Sequence, residues 1–123
     1  MKRILLVDDD ESVLKSLSVL LVSEGYEVVA LTGGAETKEK VDEEDFDLLV
    51  VDIRMDPVDG MEVMAYAHDR KPDLPIIVIS AYSSDEIAER SFELGCKAYI
   101  RKPFKIEDVL ATVDEILGNA DGS

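Results

Sequence analysis

Five short apolar runs punctuate the chain, and each is continuous rather than alternating: RILLV (3–7), EVVAL (27–31), DLLVV (47–51), PIIVIS (75–80) and AYI (98–100). A strand with one wet face alternates apolar and polar residues, whereas a strand covered on both faces does not. Stretches with helical spacing fill the gaps. Val13, Leu14, Leu17, Leu20 and Leu21 form one stripe, stopped by Gly25. Met61, Met64 and Ala67 suggest a second before KPDLP, and Ile87, Ala88, Ser91 and Phe92 a third before Gly95. Ile106, Val109, Leu110, Val113, Ile116 and Leu117 form the cleanest stripe, ending at Gly118. Residues 34–45 offer only Ala35 and Val41 for burial, which predicts a short or poorly anchored helix. The order is thus βαβαβαβαβα. Right-handed crossovers turn it into an α/β fold, a five-stranded parallel sheet with helices on both faces.

Such folds hold ligands beyond the carboxyl ends of their strands. There the first run meets Asp8 and Asp9, the third Asp52 and the fourth Ser80, while Lys102 and Pro103 follow the fifth. On one edge, these residues face a common crevice. Carboxylates a few ångströms apart repel by several kcal/mol at an effective dielectric of about 20, unless a positive charge intervenes. A lysine and a hard divalent cation such as Mg²⁺, which takes oxygen ligands and keeps some waters, supply that charge. Asp10 reads differently, as a cap on the first helix. Asp56 and Asp59 read as loop residues, with Asp59-Gly60 a turn before the third helix.

The bulk properties exclude several alternatives. The 123 residues suit one domain, expected over 1–118 with a frayed tail at 119–123. Net charge is −15, from 28 acidic against 13 basic residues, which opposes direct binding to nucleic acid. No apolar run approaches the roughly 20 residues of a membrane span, and MKRILLVDDD meets aspartates too early for a signal peptide, so a cytoplasmic location is expected. The single Cys96 excludes an internal disulfide and reads as a small buried residue. The single His68 reads as a surface residue.

ILLVDDDES, DLLVVDIRM…DG, PIIVISAYSS and GCKAYIRKPF, in that order, resemble the receiver domain of two-component response regulators over essentially the whole chain. The resemblance implies a doubly wound (βα)₅, flavodoxin-like fold with strand order 2-1-3-4-5. It implies that Asp52 accepts a phosphoryl group from a phosphohistidine of a sensor histidine kinase or histidine phosphotransfer protein. Asp8, Asp9, Asp52 and the backbone carbonyl of Arg54 would hold Mg²⁺ or Mn²⁺. Lys102, Ser80 and Ala81 would bind the phosphoryl group, with a cis peptide bond between Lys102 and Pro103. Ser80 and Tyr99 would form the switch, and Arg54 and Tyr82 would set a slow rate of dephosphorylation. Output would pass through a face made by the fourth helix, fifth strand and fifth helix, to a partner protein or a phosphorylation-dependent homodimer. The chain departs from the family pattern at RMDPVDG, where Pro57 falls one position late, and at Thr37 and Lys38, which stand where apolar residues are usual and put the packing of the second helix in doubt.

Three other readings compete. A haloacid-dehalogenase-like phosphatase also uses an aspartyl phosphate, but Arg54 stands where its second aspartate belongs and no cap domain is present. A flavodoxin-type flavin module needs a phosphate-cradling loop after the first strand, and three aspartates there would repel phosphate. A histidine phosphotransfer module could use His68, but those modules are helical bundles. The kinase, the input signal and the output stay open, as does whether the chain acts alone or is one piece of a longer regulator.

Overall fold

The computed structural model describes residues 1–54, 59–81 and 84–118. Strands and helices alternate through them: β1 (Arg3–Val7), α1 (Glu11–Ser23), β2 (Glu27–Leu31), α2 (Gly34–Glu43), β3 (Leu48–Asp52), α3 (Gly60–Arg70), β4 (Ile76–Ser80), α4 (Asp85–Glu93), β5 (Cys96–Arg101) and α5 (Ile106–Leu117). The strands are all parallel, in the order β2-β1-β3-β4-β5 expected for a doubly wound sheet. The fifth run proves longer than AYI, because Cys96 pairs with Ile76 across a bulge.

Alternate side chains of each central strand enter opposite cores, which is why the runs are continuous. Leu5, Val7, Leu49, Val51, Ile76 and Val78 pack with Val41, Val63, Met64 and Ala67 on one face. Ile4, Leu6, Leu48, Val50, Ile77 and Ile79 pack with Leu14, Leu17, Leu21, Val109 and Val113 on the other. Each such fully buried aliphatic side chain contributes on the order of 1.5–3 kcal/mol.

The second helix corrects its expectation in part. It is short, but Ala35 is exposed, and Gly34, Thr37 and Val41 are the residues buried. Thr37 and Val41 sit four apart and set the inward line, leaving Ala35 well off it. Thr37 tolerates full burial because its hydroxyl donates to the Gly33 carbonyl at 2.8 Å. Lys38 does not pack inward. It binds Glu62 of α3 and lies 5.4 Å from the centre of the Tyr66 ring. In α4 only Ser91 is fully buried, and Phe92 of the expected stripe is 51% exposed. The Asp56-Pro57 departure, Tyr82 and the 119–123 tail lie outside the described residues.

Candidate functional site

Strand register brings the candidate residues to one edge. Val7 stands opposite Val51, Asp52 opposite Ile79, and Ser80 opposite Arg101, so the residues just after β1 and β5 meet the ends of β3 and β4. Asp8 and Asp52 are only 1% and 3% exposed and Ser80 is buried, whereas Asp9 faces solvent. One carboxylate oxygen from each of Asp8, Asp9 and Asp52 lies within 4.8 Å of the others. The Lys102 Nζ reaches Asp8 Oδ2 at 3.1 Å and Asp52 Oδ2 at 3.3 Å.

Local backbone holds this arrangement. Asp8 Oδ1 accepts the Asp10 N–H at 2.9 Å, and Asp52 Oδ1 accepts the Arg54 N–H at 3.1 Å. The Lys102 N–H donates to the Ser80 carbonyl at 2.8 Å, and the Lys102–Pro103 peptide bond is cis. Asp10 turns away from the cluster and caps α1, accepting the Ser12 N–H at 2.9 Å. Asp59 caps α3 through the Glu62 N–H at 2.9 Å, so Asp59-Gly60 opens a helix. Ala81, directly after β4, is exposed. Tyr99 is half-buried against the core that contains Val78 and Cys96, with the Arg101 guanidinium 5.6 Å from its ring centre.

Burial, reinforced by the charge of Asp8, pushes the Asp52 carboxyl up to about 6, against the opposing pull of the Arg54 N–H and Lys102. Burial works against the charged form of Lys102, but its hydrogen bonds and charge pairing with Asp8 and Asp52 prevail, and its pKa is raised. Asp8 and Asp52 thus share one ammonium, with the Asp9 carboxylate beside them. When all are ionised the site has a surplus of negative charge and only hard oxygen donors, a donor set that fits Mg²⁺ or Mn²⁺.

The sequence profile of the response regulator receiver domain matches residues 4–114. The chain belongs to that family. This receiver domain is 36% identical over 114 residues to the transcriptional regulatory protein GlrR of Escherichia coli K12, covering 93% of this chain and 26% of that protein. It is 38% identical over 117 residues to the response regulator MprA of Mycobacterium leprae, covering 94% of this chain and 50% of that protein. The chain therefore spans between about a quarter and a half of these relatives. A CheY-like receiver domain protein from Methanospirillum hungatei has the same fold, with a TM-score of 0.92 at 36% identity over 97% of this chain and 95% of that one. TrrA of Thermotoga maritima, crystallised in complex with Mg(2+)-BeF, gives 0.85 at 32% identity over 95% of this chain and all (100%) of that one.

The receiver domain's site also needs a residue that sequence reading took for a simple turn. The Gly60 N–H donates to the Ile53 carbonyl at 2.7 Å, and a Cβ there would overlap the Asp52 carbonyl oxygen and the Ile53 Cα. Its only signal was a glycine at the head of a helical stripe. His68 is not a free surface residue. It is half-buried, with its ring seated where a side chain at Gly95 would otherwise stand. Cys96 is buried, and burial pushes its thiol up to about 11, which leaves it inert at neutral pH.

Proposed function

We propose that Asp52 of this receiver domain takes a phosphoryl group from the phosphohistidine of a sensor histidine kinase or histidine phosphotransfer protein. The observation that carries this reading is the placement of a buried carboxylate beside Asp8, Asp9 and Lys102 at the strand ends. Mg²⁺ or Mn²⁺, held by Asp8, Asp9, Asp52 and the Arg54 carbonyl, would neutralise the phosphoryl oxygens and so lower the cost of bringing anions together. A carboxylate oxygen of Asp52 forms the new P–O bond while the P–N bond to histidine breaks, its electron pair returning to the imidazole. With a pKa of about 6, Asp52 is largely ionised at neutral pH and able to attack. Lys102 follows the charge, leaving Asp52 to pair with the phosphoryl oxygens.

Ser80 and Ala81 then bind the phosphoryl group, and the shift of their loop lets Tyr99 rotate. That reshapes the face of α4, β5 and α5, where a partner protein docks or a phosphorylation-dependent homodimer forms. Arg54, two residues after Asp52, is exposed and bulky and would screen the acyl phosphate from water, and neither Arg54 nor Tyr82 can act as a carboxylate base, so self-dephosphorylation is slow. No helix among the described residues is long and apolar enough to cross a membrane, which supports a cytoplasmic role.

The test is labelling by acetyl phosphate with Mg²⁺, followed by intact mass. Wild type should gain one phosphoryl group and Asp52→Asn none. Equal labelling of the variant would remove Asp52 from the role.

A further inference from the structure

We propose that the free edge of β2 is a docking strand for an extended, basic segment of a partner protein, a site separate from the phosphoacceptor crevice and independent of that reading. β2 is an outermost strand. The Glu27 N–H donates to the Lys2 carbonyl at 2.9 Å, and the Leu31 carbonyl accepts the Asp8 N–H at 3.2 Å. Those bonds turn Glu27, Val29 and Leu31 toward β1, so the alternation of a parallel ladder aims the N–H and C=O of Val28 and Ala30 outward. Among the described residues no hydrogen bond reaches these groups.

The two edges of the sheet differ. At β5 a bulge interrupts the ladder near Lys97, and Arg101 reaches across to Asp85 at 3.5 Å. A bulge and edge cations are the devices that keep an edge from pairing. β2 has neither bulge, lysine nor proline, and its one charged residue, Glu27, is bound to Arg3. Beside it, α1 turns Leu14, Leu17 and Leu21 to the sheet and Val13 toward Ile106 of α5's flank. Helical spacing puts Val22, 56% exposed, on the opposite flank, on the β2 side, whereas Val19, 63% exposed, falls on the outer back of the helix.

Charge decides the occupant. Glu24 ends α1 next to this edge. Glu36 and Glu43 lie on the flank of α2 opposite Lys38 and Asp42, the residues that meet α3. Against them stand Lys2, Lys15 and Lys40, of which Lys2 lies on the β1 side of Glu27 and Lys40 is bound to Glu44 at 2.7 Å. A second copy of a chain with net charge −15 would be repelled here, whereas a strand carrying lysine or arginine between apolar residues satisfies ladder, Val22 and rim together.

The probe is a hexapeptide of alternating lysine and valine, titrated into ¹⁵N-labelled protein. Saturable amide shifts should map to residues 27–31 and to Val22, and leave Val19 on the outer back of α1 unshifted. N-methylation of the peptide at alternate residues keeps its charge and removes its ladder donors, and should weaken binding by about tenfold or more. An alternating glutamate-valine peptide should not bind. Equal binding of the N-methylated peptide, shifts spread over the acidic surface, or β2 shifts that grow with protein concentration alone would each overturn the proposal, the last by assigning the edge to a second copy.

Discussion

Burial, with the charge of Asp8 beside it, acts against the ionised form of Asp52 and outweighs the pull of Lys102. The Asp52 pKa in the folded chain, about 6, exceeds the ordinary 3.8, so the native state binds the proton more tightly than the unfolded state does. The resulting destabilisation appears as pH rises above about 4 and is complete above about 6, reaching on the order of 3 kcal/mol without metal. Asp52→Asn removes it. In chelator, the stability advantage of Asp52→Asn over wild type, measured by urea unfolding, should therefore widen between about pH 4 and pH 7. A constant gap would mean that Asp52 titrates normally. At this scale the sequence was informative about chemistry and silent about contact. The acidic pair, Asp52, Ser80 and Lys102 were legible because strand ends in a parallel sheet converge. The tight approach of Gly60 to the Asp52 backbone was not, since it depends on how steeply α3 leaves β3, and His68 was misplaced because only the packed chain brings Gly95 beside it.

Among the elements, α2 is the one whose anchoring the residue pattern conceals. Counting apolar residues missed Thr37, whose hydroxyl is satisfied within its own turn, and missed the polar zipper to α3. There Tyr66 donates to Asp42, Arg70 reaches Asp42 at 3.3 Å and lies 4.6 Å over the Tyr66 ring, and Lys38 binds Glu62. Exposed ion pairs each contribute about 0–1 kcal/mol and are weakened by salt, so this helix depends on its ring as well as its charges. Tyr66→Ala should speed hydrogen exchange of the amides of residues 34–43 several-fold and leave α1 and α5 almost unchanged. A uniform rise across all five helices would show global destabilisation instead. The central strands, by contrast, were legible almost to the residue, because burial on both faces writes itself into composition, whereas the edge strand β5 runs from Cys96 to Arg101, beyond the AYI that sequence reading gave it.

For the whole molecule, two covered faces leave the carboxyl edge of the sheet as the place where charge can gather, and the proposed function has that edge communicate with the α4–β5–α5 surface. In that proposal a hydrogen bond from Ser80 to a charged phosphoryl oxygen would provide about 1.5–3 kcal/mol of differential contact, roughly tenfold or more in population. Ser80→Ala should still take up beryllofluoride at Asp52 but lose most of the shift changes in residues 84–110 seen by NMR in wild type. The full wild-type pattern in Ser80→Ala would break the Ser80–Tyr99 coupling. All of this rests on the acyl phosphate forming at one residue. Borohydride reduces an aspartyl phosphate to homoserine, so phosphorylation, reduction and peptide mass mapping locate the acceptor directly. Homoserine at position 52 and nowhere else is the expected result; homoserine at Asp8 or Asp9, or none after phosphorylation has been confirmed by intact mass, would contradict it.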